Sequence, residues 1–123
     1  MKKLLLLLSL LTTACSAQGF ISSSMFDSRT AKGIAVVEFW AEWNKDNEVP
    51  FLGNLKDCNT YKVCIVKNSD IQKRYKVISI PTIIVLDNGV EQERFNPNIM
   101  MQLTATKKEV QSVIDEITFN KFQ

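Results

Sequence analysis

Cys58 and Cys64 are the residues whose type and spacing first suggest chemistry in this chain. Five residues separate them. From the residues alone the two sulfurs are a structural disulfide, two buried thiols, or a redox pair. Neither has a visible cationic neighbour or helix N-terminus to lower its pKa. The chain has no histidine. That removes Cys–His and Ser–His nucleophile chemistry and every zinc arrangement built on imidazole. No metal and no cofactor is expected.

The charge balance narrows the partners. The full chain carries 15 basic and 13 acidic side chains, and setting aside Lys2 and Lys3 leaves 13 of each. No basic stripe remains for phosphates, which argues against nucleic-acid binding. Lys2 and Lys3 precede an apolar run from Leu4 to Leu11, interrupted by Ser9. The run is too short for a bilayer span and reads as a secretory signal. Leu11-Thr12-Thr13-Ala14-Cys15 resembles a bacterial lipobox, in which the cysteine is lipidated and becomes the new N-terminus; Thr12 departs from that pattern. Small residues at Cys15 and Ala17 also suit ordinary cleavage after Ala17. The expected organisation is a signal peptide over 1–14, cleaved before Cys15, a tether over 15–24, a domain over 25–119 and a tail over 120–123. The product is expected in a bacterial envelope, on the membrane through lipid at Cys15, with a soluble periplasmic or secreted form as the alternative.

The elements that must position any site follow from pattern. At 123 residues the chain suits one domain. Phe20-Ile21 suggests a short strand, and Met25 to Lys32 a helix ended by Gly33. Ile34 to Trp40 is nearly continuous apolar sequence, the mark of a strand buried on both faces. Asn44 suits a helix cap, with the helix running to about Leu55 and kinked by Pro50. Tyr61 to Val66 and Thr82 to Leu86 read as further strands, with a short helix over Asp70 to Tyr75 between them. Asp87-Asn88-Gly89 reads as a hairpin turn into Val90 to Phe95. Thr106-Lys107-Lys108-Glu109 is a capping box. The helix behind it repeats Val110, Val113, Ile114 and Ile117 at helical spacing. The sum is an α/β fold, a central mixed sheet with helices on both faces.

Two segments resemble the thioredoxin family. Val37-Glu38-Phe39-Trp40-Ala41-Glu42-Trp43 resembles the strand and turn before that family's Cys-x-x-Cys, and Tyr75 to Thr82 resembles the segment around its cis-proline. The resemblance implies the thioredoxin fold from about Gly19 to Ile117, with Pro81 cis. It places Asn44 and Asn47 where the family has its two cysteines. Asparagine has no thiol, so exchange at this site is excluded on chemical grounds. The resemblance puts Glu38 at the family's buried acid and Lys62 beside it, as a buried charge pair. It also implies a groove bounded by Trp40, Trp43, Ile80 and Pro81.

The expected function is therefore an exported thioredoxin-fold protein, inactive in redox at the usual site, that binds a peptide or partner protein. The alternative is a thiol–disulfide oxidoreductase that uses Cys58 and Cys64. The apolar run Ile99-Met100-Met101-Gln102-Leu103 reads either as a flap on the core or as a partner-binding edge.

Overall fold

The computed structural model describes residues 19–123. The expected signal peptide, with Cys15 and Ala17, lies outside the described residues. The elements run α1 (Ser23–Thr30), β1 (Ile34–Trp40), 3-10 turns at Glu42–Asn47 and Leu52–Asn54, and β2 (Asn59–Cys64). Then follow α2 (Ser69–Arg74), β3 (Thr82–Asp87), β4 (Val90–Phe95) and α3 (Lys107–Lys121). The sheet order is β2-β1-β3-β4. β2 lies parallel to β1, while β3 and β4 are antiparallel to their neighbours.

β1 is the central strand, and six of its seven residues are buried. Successive side chains of a strand point to opposite faces. Ala35, Val37 and Phe39 join Phe26 of α1 and Ile71 of α2. Ile34 and Val36 join Val110 and Ile114 of α3, together with Val49, Leu52 and Leu55. Helices thus cover both faces of the mixed sheet.

Local chemistry sets the ends of these elements. Asn88 and Gly89 both adopt positive φ (51° and 82°), as a type I′ turn requires. The same turn is pinned to the start of β1, because Asn88 Oδ1 accepts from Gly33 N at 2.8 Å. Thr106 and Glu109 close a reciprocal capping box on α3. At the sheet's other edge, Phe20 makes a single parallel bridge to Lys62 rather than a strand.

The helix expected from Asn44 to about Leu55 is absent. Two short 3-10 turns replace it, and Asn44 itself is non-helical (φ −122°, ψ 23°). Pro50 and Gly53 disfavour a continuous ladder. In addition, the Val49 N–H that would feed one donates to the Glu38 carboxylate at 3.0 Å.

Candidate functional site

Three loops meet beyond the Trp40 end of β1. The first carries Trp43, Asn44 and Asn47; the second is Ile78 to Pro81; the third is a turn over Asn98 to Met101. Asn44 joins them. Its side-chain amide donates to Ile80 O at 3.3 Å and to Met101 O at 3.1 Å, and its carbonyl oxygen accepts from Asn47 Nδ2 at 2.9 Å. Asn44 is therefore not a helix cap, as sequence suggested. Without a helix to cap, both ends of the carboxamide are spent on the neighbouring loops. The Ile80–Pro81 peptide is cis.

The expected groove is not what the loops leave open. Ile80 and Pro81 are buried, and the Ile80 carbonyl is occupied by Asn44. Trp40 turns the other way: its indole N–H donates to Glu48 Oε2 at 3.1 Å, and its ring meets the edge of Phe20 at 5.0 Å. Of the four expected residues only Trp43 is exposed, at 61%. The apolar surface here comes instead from Trp43, Ile78 (94% exposed), Ile99 and Met100 (69%). Ile99 and Met100 sit on a fixed turn, in which Asn98 Oδ1 accepts from Met100 N and Gln102 N. Met101 adopts positive φ (59°) and packs inward. The apolar run was legible in the sequence; Ile78 and the organising Asn98 carried no signal that separates them from ordinary loop residues.

Glu38 and Lys62 are neighbours across β1 and β2, yet they form no ion pair. Lys62 Nζ instead bonds Glu48 Oε2 at 2.6 Å. Glu38 is 0% exposed and makes one hydrogen bond, from Val49 N; its Oε1 has no partner among the described residues. Burial pushes its pKa up to about 7, against the smaller opposing pull of the Val49 N–H and Lys62. Burial penalises the charge on Glu38, and the lysine pairs instead with the half-exposed Glu48, which is far less desolvated. Glu48 was missed because its partners are 8 and 14 residues away with no helical or strand repeat linking them.

Cys58 and Cys64 are both free and half-buried. Cys58 immediately precedes β2 and Cys64 ends it. A strand rises about 3.3 Å per residue, so their Cα atoms stand roughly 17–20 Å apart, far beyond a disulfide's reach of about 7 Å. They are not a pair. Burial, and then Asp57, raise the Cys58 thiol to about 11, which disfavours thiolate at neutral pH. Among the described residues no three metal-ligating side chains converge.

Comparison with known proteins fits this geometry. The thioredoxin of Chlamydia pneumoniae is 39% identical over 80 residues, covering 60% of this chain and 78% of that protein. The chain belongs to the thioredoxin family. The thioredoxin of Mycoplasma genitalium is 32% identical over 71 residues, 53% of this chain and 70% of that one. Among solved structures, a mutant thioredoxin from Halobacterium salinarum superposes with a TM-score of 0.62 at 17% identity, covering 79% of this chain and 87% of that chain. A designed protein superposes equally well, TM-score 0.62 at 19% identity over 83% and 93% of the two chains, which again speaks for the fold. No family model matches the chain. Within the thioredoxin family, the departure here is local: the fold and the cis-proline loop are present, and asparagines stand at positions 44 and 47.

Proposed function

We propose that this thioredoxin-family protein is exported, held to a membrane of the bacterial envelope by lipid at Cys15, and binds an extended peptide or partner protein without thiol exchange at positions 44 and 47. The binding surface is the apolar rim of Trp43, Ile78, Ile99 and Met100. The observation that carries the reading is the Asn44 clasp. A carboxamide there holds the three loops through bonds to Ile80 O, Met101 O and Asn47, where thiols would leave both carbonyls without that donor. The clasp fixes the loops while four large apolar side chains stay in solvent around it. Apolar groups held rigidly at a surface lose little entropy on binding.

S-alkylated insulin B chain is a suitable extended probe, because it cannot exchange disulfides. Its binding should perturb the Trp43, Ile78 and Met100 resonances. Trp43→Ala and Met100→Asp should each weaken it by about tenfold, as loss of a large anchor does. Binding unaffected by both substitutions would remove the rim from consideration. Radioactive palmitate incorporation that is abolished in Cys15→Ala tests the anchor.

The second reading is a thiol–disulfide oxidoreductase, and the relatives' identity as thioredoxins favours it. Insulin reduction with dithiothreitol separates the two. The binding reading expects turbidity at the rate of dithiothreitol alone. Faster turbidity that disappears in Cys58→Ser or Cys64→Ser would establish the oxidoreductase instead.

A further inference from the structure

Trp40 also lines a cleft of about 1000 Å³, bordered by α1, the Phe20 bridge and the end of β2. It shares none of Trp43, Ile80, Pro81 or Met100. We infer that this cleft is a separate binding site for a compact aromatic carboxylate, with the ring seated among Phe20, Met25, Trp40 and Tyr61 and the carboxylate held by Arg29 and Lys67. The inference does not depend on the function proposed above.

Several polar atoms of the walls are already used. The Trp40 N–H goes to Glu48, and the Tyr61 hydroxyl goes to the Arg29 carbonyl at 3.4 Å. The Asn68 carboxamide is spent on Ser23 and on Cys64 O. Beside the Ser22 and Thr60 hydroxyls and Cys64, the lining offers the edge-to-face pair of Phe20 and Trp40, with Met25 and Tyr61 half-buried next to it. Aromatic rings bind best against such offset or edged faces.

The charges around the cleft are unequal. Arg29 and Lys67 both line it, and among the described residues neither side chain makes an ion pair. The preceding residues 1–18 contain no aspartate or glutamate to neutralise them. The acid at the cleft, Glu42, is engaged by Lys45 at 3.1 Å. Two cations without a partner beside an apolar floor select an amphipathic anion, and the planar guanidinium of Arg29 matches a carboxylate with two parallel hydrogen bonds.

The backbone argues for a compact ligand over a peptide strand. A peptide binds a sheet edge by taking up free N–H and C=O groups. Here Lys62 N donates to Gly19 O at 2.6 Å, and Lys62 O accepts from Ile21 N at 2.9 Å. The edge of β2 is occupied at that point by the chain's own residues. The volume falls at the upper end for small-molecule sites, which run to about 1000 Å³.

The test is calorimetric titration of the full chain with 2-naphthoate, and with 2-naphthylmethylammonium as a probe of equal shape and opposite charge. Saturable one-to-one binding of the naphthoate is expected, with the ammonium weaker by at least about tenfold. Arg29→Gln with Lys67→Gln, both exposed, should leave the unfolding midpoint unchanged and weaken the naphthoate about tenfold or more. Bound naphthoate should slow iodoacetamide alkylation of Cys64, which lines the cleft, and leave Cys58 unchanged. The inference is overturned if the naphthoate does not bind, if the two probes bind alike, if the double variant binds undiminished, or if protection appears at Cys58 and not at Cys64.

Discussion

On one face of the sheet, α1 and α2 set Phe26 and Ile71 against Val37 and Phe39. On the other, α3 brings Val110 and Ile114 but shares the surface with the irregular stretch that carries Val49, Leu52 and Leu55. A helix satisfies its own backbone, so it can close an apolar core with nothing polar inside. The irregular stretch cannot. Its Val49 N–H needs an acceptor, and that acceptor is the buried carboxylate of Glu38. The missing helix and the buried acid are thus two sides of one arrangement. The helix-covered face is an ordinary core; the other is a core with a titratable group built into it.

The comparison is sharpened first by truncation. Phe39→Ala removes a fully buried ring from the helix-covered face and should cost about 3–5 kcal/mol by denaturant unfolding. Leu52→Ala, under the irregular stretch, should cost only about 2 kcal/mol, because a loop collapses into a cavity more readily than a helix does. A Leu52→Ala loss of about 5 kcal/mol, the top of the range for a buried leucine, would mean the irregular stretch does not collapse.

The second prediction concerns pH. Glu38 has a folded pKa of about 7 against an ordinary value of 4.5, so the folded state holds its proton more tightly. Stability from this group is complete below pH 4.5, falls as pH rises toward 7, and stays low above it. The total loss is about 3 kcal/mol. Glu38→Gln, which keeps an acceptor for Val49 N, should abolish that fall and be the more stable protein at pH 8. A wild type with flat stability from pH 4.5 to 8 would show that the carboxylate is already ionised.

A smaller effect belongs to Asn44→Ala. Losing the clasp leaves Ile80 O and Met101 O short of a donor, at about 1–3 kcal/mol. Amide exchange should quicken at Met100 and Gln102 more than in β3, and exchange unchanged there would deny the clasp its role in holding the third loop. The smallest effect is Thr106→Ala, about 1 kcal/mol from the lost capping box on α3.

The sequence made parts of this plain because the governing interactions are local. The β1 run, Asn88-Gly89 and Thr106 with Glu109 each specify their geometry within a few residues. The stretch after Trp43 was misread because Asn44 is as good a hydrogen-bonding bridge as a cap, and only the positions of Ile80 and Met101, 36 and 57 residues away, decide between them. The Glu38–Lys62 pairing failed for a similar reason. Register does place the two side by side, but Glu48 competes for the lysine without paying full desolvation. The groove failed because Trp40 is oriented by Phe20 and Glu48, neither of which belongs to the motif that suggested it.

The bridge at Lys62 has a mechanical meaning as well. Gly19 to Ile21 runs parallel to β2 and is held there by two backbone hydrogen bonds to one residue. Tension entering the chain at Gly19 along the strand would load both bonds together in shear, whereas peeling would break them in turn. The force would pass through Lys62 into β2 and from there into β1, the most buried strand of the sheet. A pull entering there is therefore carried into the centre of the domain, through the same bridge that borders the cleft.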